Sequence, residues 1–167
     1  MSPILEDLQI VIIRELDSLR DEIRLFPDDT TLWKVLPGIT NSAGNLVLHV
    51  CGNLKYYIGS VLGNTGFIRE RESEFNRNSA SRAELVSDLE NTKMIIKSVL
   101  PKLSETILTE TYPETVASFE LPCGRFLIHL STHLSFHLGQ VGYLRRILTG
   151  NNKSSGAVSL RALCGQI

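Results

Sequence analysis

Residues 125–146 read RFLIHLSTHLSFHLGQVGYLRR and hold three of the chain's four histidines: His129, His133 and His137, each four residues from the next. On an α-helix, side chains four apart lie nearly one above the other, so these imidazoles share one face. Leu127, Leu130, Leu134, Leu138, Val141, Leu144 and Leu148 give the same helix an apolar side. Ser131, Ser135, Gly139 and Gly142 form a line of small residues that lets a neighbouring helix come close. Pro122 suits a first turn and Gly150 a stop, which predicts a helix over 122–149.

Imidazoles at i and i+4 can hold one divalent ion from a single helix. The outer pair of three such histidines is separated by about 12 Å of helix axis, too far for one ion. One histidine is therefore spare, either His129 or His137. The fourth, His49, lies far upstream and closes the site if its own helix packs against this one.

Working outward, Leu5, Leu8, Ile12, Leu16, Leu19, Ile23 and Phe26 recur at helical steps, giving a first helix over 3–26 that Pro27 ends. Ile10, Val11 and Ile13 broaden its apolar stripe, a pattern that suits packing within the monomer and is compatible with a homodimer. A second helix, capped by Thr40, Asn41 or Ser42, runs to about Leu62. Asn41, Asn45, His49, Asn53 and Tyr57 form an uncharged polar stripe along it, expected to wall a wet cleft. Residues 63–80 read as a charged, aperiodic connection. Ser81 and Glu84 make a capping-box signature for a third helix, which Pro101 should kink or end. Residues 106–121 form a second loop. The expected fold class is all-α, a four-helix bundle over residues 1–150, followed by a mobile C-terminal tail over 151–167.

The 167 residues suit one domain with a substantial core, and a net charge of −1 argues against nucleic acid as a partner. The charge is unevenly placed: every carboxylate lies before residue 121, while Arg125, Arg145, Arg146, Lys153 and Arg161 lie after it. A basic helix docked on acidic neighbours accounts for this, and it leaves the last helix without an acidic metal ligand. Three cysteines without CxxC spacing fit free thiols in a reducing compartment. Without a basic-then-apolar leader or a long apolar run, the expectation is a cytoplasmic protein with no membrane partner.

Three neutral imidazoles leave an ion its full charge and open positions, the arrangement of a catalytic rather than a closed structural site. Such a site favours thiolate or carboxylate ligands and acidifies bound water. Zinc, nickel, iron and manganese all accept imidazole. With neither Glu-x-x-His nor HExxH in the chain, a di-iron carboxylate bundle and a zinc protease of that type are disfavoured. Asn53 and Gln140 are candidates for orienting the imidazoles. Tyr57, Arg71 and Glu74 are weaker candidates for touching a substrate. Cys51, two residues from His49, points away from the site.

The pattern LIHLSTHLSFHLGQ, preceded far upstream by NLVLHVCGNL, resembles the DinB/YfiT-like superfamily of metalloenzymes. Trp33 through Asn53, with Ser-x-x-Asn-Leu and His-x-x-Gly-Asn, resembles an uncharacterised branch of it. The resemblance implies a four-helix bundle whose metal ligands are His49, His133 and His137, with Gly139-Gln140 following the last. His129 then matches a neighbouring histidine that is not a ligand. It also implies an enzyme acting on a small molecule, first a transferase using a low-molecular-weight thiol and a small electrophile. The alternatives are a hydrolase working through metal-bound hydroxide and a non-catalytic metal- or ligand-binding bundle.

Overall fold

The computed structural model describes residues 2–156 and 159–164. Helix α1 spans Pro3–Arg24, α2 Asp29–Leu32, α3 Ala43–Leu54, α4 Arg71–Asn76, α5 Arg82–Val99 and α6 Cys123–Thr149. No strand is formed among the described residues; the chain makes only isolated β-bridges, Thr111 with Pro122 and Val116 with Phe119. The chain is all-helical, as its periodicities indicate.

Helix α1 packs on α5 and α6, α3 packs on the same two, and α4 lies against α3. The stripe read along α1 is the face that enters the core: Leu5, Ile12, Leu16, Leu19 and Ile23 are buried. Ile13 packs on that core, while Ile10 and Val11 stay half-buried. Of the three possible caps for α3, Ser42 takes the role: its hydroxyl accepts from the Asn45 N–H while the Asn45 side chain accepts from the Ser42 N–H. The Ser81–Glu84 box forms in both directions at the start of α5. Pro101 ends that helix as a single 3₁₀ turn, Leu100–Lys102. Gly150 closes α6 with φ of 65°, the left-handed conformation that glycine adopts freely.

Two features differ from the sequence reading. After Leu54 the second long helix continues over Lys55–Leu62 as π-helix, a wider turn that hydrophobic periodicity does not signal. The connection 63–80, expected to be irregular, contains α4. The Asn45 amide donates to the carbonyls of Glu74, Phe75 and Arg77, which ties the end of α4 onto α3. The polar stripe is thus covered at Asn45 by this segment rather than lining open water.

The uneven charge also finds its place. Arg145 on α6 is fully buried and pairs with Glu22 on α1. Its other two nitrogens donate to the carbonyls of Asn151 and Lys153, so the first residues after α6 are anchored and not loose. Positions 157–158 and 165–167 of the expected tail lie outside the described residues.

Candidate metal centre

Capped at Ser42, α3 carries His49 near its middle, while α6 carries His133 and His137 one turn apart on the face turned toward it. The Nε2 atom of His133 lies 3.3 Å from that of His49 and 3.0 Å from that of His137. A ligand atom from each of the three can be drawn within 4.8 Å of the others. Nitrogens that share one ion at about 2.0–2.1 Å sit about 3 Å apart when their bonds are perpendicular, and somewhat farther apart when tetrahedral. The two separations from His133 Nε2, 3.3 and 3.0 Å, fall in that interval.

The outer nitrogens explain which atoms face inward. Nδ1 of His49 lies 2.9 Å from Glu74 Oε2, and Nδ1 of His137 lies 2.7 Å from Gln140 Oε1. Each oxygen accepts the Nδ1–H, which leaves both Nε2 atoms as bare lone pairs. His133 Nε2 faces both, yet carries at most one hydrogen in the neutral form. It can donate to one neighbour and must meet the other lone pair to lone pair. A cation at that point would resolve the conflict.

Burial favours the neutral form of His133 and His137. His133 is pushed down to about 4, first by desolvation and then by the neighbouring imidazoles of His137, His49 and His129. His137 is lowered as well, again chiefly by burial, against a weaker upward pull from its bond to Gln140.

Glu74 is brought in by α4 and is buried. Arg69 grips it with two nitrogens, Nε to Oε1 at 2.7 Å and Nη2 to Oε2 at 2.9 Å. Burial alone would raise this carboxyl; the hydrogen bonds from His49 and Arg69 outweigh it and hold the group below its ordinary range. Gly52 leaves the room that the carboxylate occupies against α3. A Cβ there would stand 2.1 Å from Glu74 Oε1.

The last helix lacks an acidic residue, as the sequence reads, but Glu74, read only as a weak candidate for touching a substrate, places a carboxylate on His49 from another element. Arg69 was missed. One signal was present: Gly52 lies one turn from His49, and a mid-helix glycine marks a close approach by something else.

The remaining candidates fall around the cluster. His129 is exposed and stacks on His133 at 5.8 Å between centroids, outside the converging set. Asn53 is buried, but its Oδ1 has no hydrogen-bond partner among the described residues, and the His49 Nδ1 it was expected to orient is held by Glu74 instead. Tyr57 is half-buried, with the Arg69 guanidinium 5.6 Å above its ring and Phe126 at 5.0 Å. Arg71 is exposed and lies over Phe75, whose ring packs 4.9 Å from His49. Cys51 is fully buried and burial drives its thiol upward, so it is inert.

No helix among the described residues is long and apolar enough to cross a membrane. No curated protein matches the chain. A family model described as "Protein of unknown function (DUF1572)" matches residues 13–160, a stretch that contains His49, Glu74, His133, His137 and Gln140. With nearly its whole length covered, the chain belongs to the DUF1572 family.

Proposed function

We propose that this protein is a DinB/YfiT-like four-helix-bundle metalloenzyme that holds one divalent ion through Nε2 of His49, His133 and His137. Its reaction, in this reading, transfers a low-molecular-weight thiol to a small electrophile. The observation that carries the proposal is the convergence of three Nε2 atoms, with the outer nitrogens of His49 and His137 committed to Glu74 and Gln140. The superfamily likeness is supported by one histidine on α3 and a His-x-x-x-His pair on α6, followed by Gly139-Gln140.

When bound, the ion supplies a Lewis-acidic centre of undiminished charge that favours the deprotonated form of a thiol at neutral pH. The chain's own residues do the rest. Glu74 fixes the tautomer and ring plane of His49 and makes it a stronger donor. Gln140 does the same for His137 without adding charge. Arg69 balances Glu74 and keeps that carboxylate from turning toward the ion as a further ligand. Three free cysteines suit the reducing compartment in which small thiols are abundant.

Elemental analysis of protein purified without an affinity tag tests the first step. The wild type should carry close to one equivalent of a divalent metal and His133→Ala almost none; no metal in either rejects the site. Cobalt substitution followed by a small thiol tests the second. A new charge-transfer band is expected, and an unchanged spectrum rejects thiol ligation.

A further inference from the structure

A cavity of about 520 Å³ opens beside Gln140, within the ~300–1,000 Å³ range of small-molecule sites. We propose that it seats the apolar body of a small-molecule substrate whose reactive head lies at the three histidines, an inference that rests on the metal reading of those residues. On α6, His133, His137, Gln140, Leu144 and Ile147 follow one another at steps of three and four, so the face that carries the imidazoles continues into the cavity wall. On α3, Leu46 precedes His49 by one turn and lines the same space. Leu36 and Ile39, from the loop between α2 and α3, close the rim.

Gln140 joins the two compartments. Its Oε1 is occupied by His137 Nδ1–H, so the group it can still offer to a ligand is its amide N–H. A ligand running from the histidines into the cavity would thus pass a hydrogen-bond donor suited to a carbonyl or carboxylate oxygen and then meet aliphatic walls. Leu144 lies about 10 Å along the helix axis from His137, the reach of a chain of six to eight carbons.

Straight-chain thiols test this on the cobalt-loaded full chain, with the cobalt spectrum reporting binding. From ethanethiol to hexanethiol the affinity should rise about fourfold per methylene as the tail enters the cavity. Ile39→Asp and Ile147→Asp replace residues that are 46% and 64% exposed, so the fold survives them. Both should flatten the series and leave ethanethiol binding unchanged. Equal affinity for every chain length in the wild type overturns the inference while leaving the thiol reading intact. If no thiol perturbs the spectrum, the thiol reading fails and the cavity is judged by methyl NMR of the metal-free chain with 1-hexanol. Shifts confined to Ile39, Leu46, Leu144 and Ile147 uphold it, and their absence overturns it. Sedimentation showing a dimer that Ile147→Asp dissolves, with no hexanol shifts, would assign the face to a second copy and also overturn it.

Discussion

Glu74 reaches His49 across a gap that a single methyl group would fill. Two substitutions therefore disturb the histidines without touching them. Glu74→Ala removes the Nδ1 acceptor, and the site should lose about 10–100-fold in metal affinity, measured by competition with a chromophoric chelator. Gly52→Ala should reproduce most of that loss, because the new Cβ cannot coexist with Glu74 Oε1. An affinity equal to wild type in both variants would show that the carboxylate does not set His49. The imidazoles also make a pH prediction for the metal-free protein. Unfolded, His133 takes up a proton near 6.5; folded, it resists protonation down to about 4. Between those values the unfolded chain binds more protons, so stability should fall as pH drops from about 6.5 to about 4 and be flat in this group above that window. Thermal melts of wild type and His133→Asn, in the presence of chelator, should show a shallower slope for the variant. Helical spacing gathers His129, His133 and His137 on one face and leaves open which is spare; the family resemblance is what singles out His49, His133 and His137 with Gln140. Glu74 and Arg69 could not be picked this way, since their meeting depends on how the connection after α3 folds back.

At the level of elements, the long helices were legible and α4 was not, for one physical reason. Helices α1, α5 and α6 bury stripes of aliphatic residues, and such stripes are periodic. Helix α4 has six residues, and its inward group is a carboxylate whose burial is tolerable only with His49 and Arg69 beside it. No local pattern announces that arrangement. Its attachment is correspondingly specific, resting on the three carbonyls held by Asn45. Asn45→Ala should release the end of α4 and weaken the cap of α3 together. We expect faster amide exchange across residues 71–77, with α1 and α6 protected as before. Uniform acceleration through the whole chain would mean that Asn45 supports the global fold instead. The expected cost is on the order of 1–2 kcal/mol, from one lost cap and exposed carbonyl groups. The π-helical stretch after α3 escaped the sequence reading because its apolar residues satisfy an α-helical pattern equally well.

Across the whole molecule, the buried Glu22–Arg145 pair links the first long helix to the last. Burying two charges is costly, so the pair adds little net stability, yet breaking it is severe. Arg145→Ala should lose about 3–5 kcal/mol, because buried Glu22 then loses its closest cation and keeps only Arg146, 3.9 Å away. Glu22→Leu combined with Arg145→Met should lose far less, a difference that urea denaturation can measure. The same guanidinium has a further consequence for where the folded unit stops. By helix periodicity the unit ends at Gly150, but Arg145 takes two of its acceptors from Asn151 and Lys153. A chain cut after Gly150 keeps every core side chain among the described residues and still deprives a buried cation of two carbonyls, at a cost on the order of 1–3 kcal/mol. One cut after Ser154 keeps both. The hydrogen-bonding needs of one side chain thus carry the folded unit past the end of its last long helix, and the 3₁₀ turn Arg161–Cys164 also packs on α1, so shortened versions intended for crystallisation or tagging should retain at least residues 151–154.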